Sequence, residues 1–77
     1  MSVSAYIFVE TYHGKTTEAN GKILKIKGVK SSHIVTGPYD IITFVETDDM
    51  KTLSDYVINK IQSTPGVSRT LTNIITI

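Results

Sequence analysis

From Val3 to Thr11, Val3, Ala5, Ile7 and Val9 share one parity and Tyr6 and Phe8 the other, which predicts a strand apolar on both faces. From Lys15 to Lys27 the period lengthens. Ala19, Ile23 and Ile26 fall at helical spacing, with Lys22, Lys25 and Lys27 turned away, and Gly14 and Gly28 bracket the segment as start and left-handed stop. Gly21 inside this helix costs roughly 1 kcal/mol relative to Ala, and a close approach of helix to sheet would account for it. Two strands follow, Val29 to Thr36 and Asp40 to Thr47, the second carrying the β-branched and aromatic run Ile41-Ile42-Thr43-Phe44-Val45. Asp48-Asp49 then opens a second helix, where carboxylates suit the free N–H groups. Its Met50, Leu53, Val57 and Ile61 lie within about 80° of arc at ~100° per residue, a buried stripe. Ser63-Thr64-Pro65-Gly66 ends that helix, and Val67 to Ile77 reads as a long final strand.

The order β-α-β-β-α-β, with right-handed crossovers, predicts an α+β ferredoxin-like fold: a four-stranded antiparallel sheet with both helices on one face. In that topology the first and third strands are central, and those are the two that are apolar on both sides. Two helices cover one face only. The other exposes Tyr6, Phe8, Ile42 and Phe44, or their parity partners, and a second copy of the chain is expected to cover it.

Composition strengthens that expectation. Seventy-seven residues make one domain, 1–77, and so small a chain buries only ~60% of the surface its unfolded form exposes. It has no cysteine, so neither a disulfide nor a thiolate–metal site adds stability, and oligomerisation is the common remaining route. The net charge of +1 and the acids that dilute the Lys22, Lys25, Lys27 and Lys30 cluster argue against affinity for nucleic acid. Those lysines read as the solvated face and last turn of a helix. No apolar run reaches the ~18 residues of a membrane span, and the N-terminus lacks a basic leader, so a cytoplasmic protein is expected.

Candidate chemistry gathers at Gly37-Pro38-Tyr39-Asp40, the corner between the middle strands. Gly and Pro supply the positive and the fixed φ that a reversal needs. A carboxylate and an aromatic hydroxyl here can hold an ammonium group; equally, Asp40 can bond turn amides and Tyr39 pack at the rim. Thr70 and Thr72 share one strand face, and their hydroxyls can take a carboxylate or simply favour the strand. His13 and His33 stand apart with no ligand pattern around them, so no metal site is expected. Ser31-Ser32-His33 are chain neighbours that point alternately to opposite faces, so they form no nucleophile–base pair, and no catalytic residue or cofactor is assigned.

The pieces Val35-Thr36-Gly37-Pro38-Tyr39-Asp40, the helix Met50 to Ile61 and Pro65-Gly66-Val67-Ser68-Arg69-Thr70-Leu71-Thr72 stand in order and at the expected spacing, and the resemblance they carry extends over essentially the whole chain. Together they resemble the ligand-binding (RAM) domain of the leucine-responsive regulatory protein/AsnC family. The resemblance implies dimers formed sheet to sheet, assembled into rings of four or five dimers, with amino-acid effectors bound between subunits. It places Gly37, Tyr39, Asp40, Thr70 and Thr72 as the effector-site candidates. The family's N-terminal helix-turn-helix has no counterpart, since the first strand begins within a few residues of Met1, so direct DNA reading is not expected. The leading expectation is a stand-alone, non-enzymatic, amino-acid-responsive regulator that binds effector itself or co-assembles with a full-length family member. Two alternatives stand beside it. One is a small dimeric α/β-barrel enzyme using His33 and Asp40; the other is a structural or ACT-like sensor oligomer.

Overall fold

A computed structural model describes residues 2–77. The chain runs β1 (Val3–Thr11), α1 (Thr16–Ile23), β2 (Val29–Ile34), β3 (Ile41–Thr47), a second helix and β4 (Val67–Ile74). The second helix, α2, is continuous over 50–62: an α-turn at Met50–Thr52, wider π-type turns at Leu53–Ile58 and an α-turn at Asn59–Gln62. The sheet order is β2-β3-β1-β4, and every neighbouring pair is antiparallel. This is the ferredoxin-like arrangement the pattern predicts, with β1 and β3 central.

The register decides which parity meets the helices. Ala5, Ile7 and Val9 stand opposite Val45, Thr43 and Ile41, and Ala19 and Ile23 of α1 with Leu53, Val57 and Ile61 of α2 close over them. All eleven of these residues are fully buried. Thr43 is the polar member of the layer, and its hydroxyl pairs with that of Ser32 at 2.9 Å, which in turn donates to Asn20 Oδ1 at 2.7 Å. The bonds satisfy the polar side chains that β2 and β3 send inward and fasten α1 to the edge strand. Among the described residues no element covers the opposite parity. Tyr6 packs across the strands on Phe44 (5.1 Å between ring centroids) and Phe8 lies beside Ile42 and Leu71, yet Tyr6 and Leu71 are each 45% exposed.

Four local readings change. α1 ends at Ile23, not Lys27: Lys25, Ile26 and Val29 donate to carbonyls three residues back, so tight turns replace the helix while Ile26 still packs on the core. β2 stops at Ile34 and β4 at Ile74, each two or three residues short of the expected ends. Met50 is half-exposed in the first turn of α2, so the buried stripe is Leu53, Val57 and Ile61. Gly21 lies on the outer face of α1, and a Cβ there would meet nothing within 4 Å, so no close approach to the sheet explains it. Asp49 does cap α2. Its carboxylate accepts from the Thr52 N–H at 2.7 Å, and that bond holds its carboxyl below the usual carboxylate range.

Two glycines are required for a different reason. Gly28 (φ +101°) and Gly66 (φ +97°) carry backbone that disfavours a side chain, and a Cβ on either would come within 2.9 Å of Val57 Cγ2 or Lys15 Cβ respectively. Gly66→Ala is therefore expected to lower stability by about 1–3 kcal/mol, whereas Gly21→Ala is expected to raise it by up to about 1 kcal/mol. Urea unfolding of both variants checks the pair; equal effects would contradict this account of the two turns.

Candidate functional site

The corner between β2 and β3 is built by three constraints. Gly37 takes φ +122°, which a side chain would disfavour, and Pro38 fixes the next φ. The Val35 N–H donates to the Asp40 carbonyl at 2.9 Å, closing the corner, and the Asp40 N–H donates to the Val9 carbonyl at 2.9 Å, tying it to β1. The carboxylate continues that seam. Asp40 Oδ2 accepts from the Thr11 N–H at 2.8 Å and from the Thr11 hydroxyl at 3.0 Å. It thus bonds an amide at the end of β1, 29 positions away in sequence, rather than an amide of its own turn. Thr11 Oγ1 also lies 2.6 Å from the hydroxyl of Thr16, the first residue of α1.

Tyr39 leans the other way. Its ring packs on Phe8 of the uncovered face at 5.5 Å, and the Arg69 guanidinium lies over it at 5.8 Å. Arg69 also pairs with Glu10 directly across the β1–β4 ladder, Nη2 to Oε2 at 3.3 Å. The rim of the corner thus sends the Tyr39 ring, with the Arg69 guanidinium over it, toward the uncovered face and the Asp40 carboxylate toward the end of β1.

Gly37, Tyr39 and Asp40 come together as the sequence suggested. Thr70 and Thr72 stand opposite Val9 and Ile7 on the helix-side parity of β4, one strand removed from the corner. Thr70 Oγ1 accepts a bond from Gln62 Nε2 at 3.3 Å. Within one chain the two threonines do not share the rim with Tyr39. His33 points outward opposite Ile42, away from Ser32, as alternation requires. Thr11, Thr16 and Arg69 carried no assigned role in the sequence reading. Arg69 is the single arginine of the chain and Glu10 sits in the first strand, a signal that only the strand register makes legible.

A concavity of about 780 Å³ lies at the far end of the sheet, between the start of β2 and the first turns of α2. Lys27, Lys30, Lys51, Glu46, Asp48 and Asp55 line it. It is open to water, its charges alternate, and Lys51 already pairs with Asp55 at 3.2 Å. Nothing there converges on one chemical group.

This topology defines a small α+β domain of the ferredoxin-like class. The family model described as the Lrp/AsnC ligand binding domain matches residues 4–76, and the chain belongs to that family. Over 58 residues it is 34% identical to the proline dehydrogenase transcriptional activator of Rhizobium radiobacter, covering 75% of this chain and 37% of that protein. Over 60 residues it is 37% identical to a homocitrate synthase of Sulfolobus acidocaldarius, covering 78% of this chain and 13% of that protein. The chain therefore spans well under half of either curated relative. Among solved structures, a hypothetical protein from Pyrococcus horikoshii superposes with TM-score 0.88 at 37% identity, covering 97% of this chain and 90% of that one. Escherichia coli AsnC superposes with TM-score 0.85 at 26% identity, over 95% of this chain and 50% of that one. The Mycobacterium tuberculosis feast or famine regulatory protein complexed with L-methionine shares the fold (TM-score 0.79, 24% identity, 95% and 49% coverage).

Because Asp40 closes the β1–β3 seam, Asp40→Ala is expected to cost about 1–3 kcal/mol by stranding the Thr11 N–H, and Asp40→Asn, which keeps an acceptor, under about 1 kcal/mol. Chemical denaturation of the two variants checks this; an unaltered midpoint for Asp40→Ala would show that the bond contributes nothing.

Proposed function

We propose that this chain is an amino-acid-responsive regulatory module that works as an assembly of its own copies. The observation that carries the reading is the rim itself. Asp40 offers a carboxylate to an α-ammonium, and Arg69, over the Tyr39 ring, offers a guanidinium to a carboxylate. Membership of a ligand-binding domain family supports it, as does a shared fold with a regulator complexed with L-methionine. Matches to part of a transcriptional activator and to a short part of a synthase support a sensing domain that can be joined to different outputs.

In this reading two copies pair through the uncovered face, burying Tyr6, Phe8, Ile42, Phe44 and Leu71, and the pairs close into rings of four or five. The Gly37, Tyr39 and Asp40 corner of one copy then meets a neighbour, whose Thr70 and Thr72 hydroxyls complete the carboxylate end of the pocket. Effector shifts assembly only through a difference in affinity between assembly states. The same face lets the module join a longer regulator of its family.

A thermal-shift screen of the twenty amino acids, followed by titration calorimetry and light scattering, tests the reading. At least one amino acid is expected to raise the melting temperature and alter the assembled mass. Asp40→Asn, which keeps its seam bond but loses the charge, is expected to bind that amino acid at least about tenfold more weakly. A parent protein that responds to none of the twenty would overturn the sensor reading.

A further inference from the structure

We infer that Thr11 and Thr16 are positioning residues that fix the Asp40 carboxylate so that one oxygen is held inward and the other is presented to the ligand. The inference rests on the reading of the corner as an ammonium site. Its own support is the direction of three hydrogen bonds. An ionised carboxylate has no proton to give, so the Thr11 hydroxyl donates to Asp40 Oδ2. A hydroxyl has a single proton, so the 2.6 Å contact between Thr11 and Thr16 is Thr16 donating to Thr11. The order is fixed: Thr16 O–H to Thr11 Oγ1, Thr11 O–H to Asp40 Oδ2, with the Thr11 N–H on the same oxygen at 2.8 Å.

Each partner sits where the backbone holds it. Thr11 is the last residue of β1, next to the register shift between Glu10 and Thr11 on the β4 side, where the following amide, Tyr12, donates to the Gly66 carbonyl at 2.9 Å. Thr16 is the first residue of α1. Asp40 itself is pinned through its N–H and carbonyl to Val9 and Val35. Among the described residues, every bond to the Asp40 carboxylate goes to Oδ2. Two donors on one oxygen select a single side-chain rotamer and leave Oδ1 free. The ordering of the side chain is then met on folding rather than on binding, which is how preorganisation raises affinity. Hydroxyls chained in series also strengthen one another, so loss of Thr16 weakens the Thr11 bond.

Thr11→Val keeps the shape and the backbone amide and removes the hydroxyl; Thr16→Val removes the far donor; Thr11→Ser restores the hydroxyl. Two readouts apply. In the ligand-free protein, NMR side-chain couplings of Asp40 are expected to report one χ1 rotamer in the parent and Thr11→Ser, and averaging in Thr11→Val. Calorimetry then uses the tightest-binding of the twenty amino acids and the same molecule lacking its α-ammonium. Thr11→Val is expected to weaken the amino acid by roughly three- to tenfold and the des-amino acid by less than about twofold. Thr16→Val is expected to show a smaller effect in the same direction. A purely structural role would weaken both ligands equally. A single rotamer and unchanged affinity in Thr11→Val, with Asp40→Asn still impaired, overturns the positioning role and leaves the sensor reading intact. Failure of the parent to bind any of the twenty overturns the sensor reading, and the positioning role with it.

Discussion

The central strands β1 and β3 send apolar side chains to both faces of the sheet, and α1 and α2 roof only one of them. On the roofed side Ala5, Ile7 and Val9 meet Ile23, Leu53, Val57 and Ile61 with no exposure to water. On the other side Tyr6 packs on Phe44 and Phe8 on Tyr39 as tilted ring pairs, a layer of aromatic contacts left open among the described residues. A chain of 77 residues with no disulfide has little stability to spare. In the proposed reading an open aromatic layer in such a chain is half of a second core. The second copy in the proposed assembly supplies the other half, and the fold and the assembly become one thermodynamic unit.

The corner inherits its geometry from the same sheet. Tyr39 leans onto Phe8 of the open layer while Asp40 reaches Thr11 at the end of β1 and, through it, Thr16 at the start of α1. One four-residue stretch thus touches the uncovered face and, through Thr11, the first turn of the roofing helix. In the proposed reading a ligand at the rim therefore acts on groups already continuous with the pairing surface. Effector-dependent assembly then needs no long-range wire, only a difference in how the two assembly states present the rim.

Much of this was legible in the chain, and what was not has physical causes. β1 runs from Val3 to Thr11 as its alternation predicts, and the placement of β1 and β3 at the centre follows from their two apolar parities. Ile26 misled the reading of α1 because its spacing suits a helix, although the backbone there had turned to bonds three residues apart. Met50 continues the α2 stripe on paper but sits in the first turn, beyond the cover of the sheet. Thr70 and Thr72 share a face as their spacing requires; which face depends on their pairing with Val9 and Ile7, which no local pattern encodes. Asp40's partner was the hardest to see. Turn chemistry offers a nearby amide, whereas the structure supplies Thr11, and only the closing of β1 against β3 brings the two together.

Sedimentation equilibrium across the micromolar range, with circular dichroism on the same samples, tests most directly whether the open aromatic face is half of a shared core. The account predicts that the smallest folded species has twice the 8.5 kDa mass of one chain. It also predicts that Tyr6→Glu or Phe44→Glu shifts the protein toward an unstable single chain. A folded 8.5 kDa species with a cooperative melting transition would contradict it.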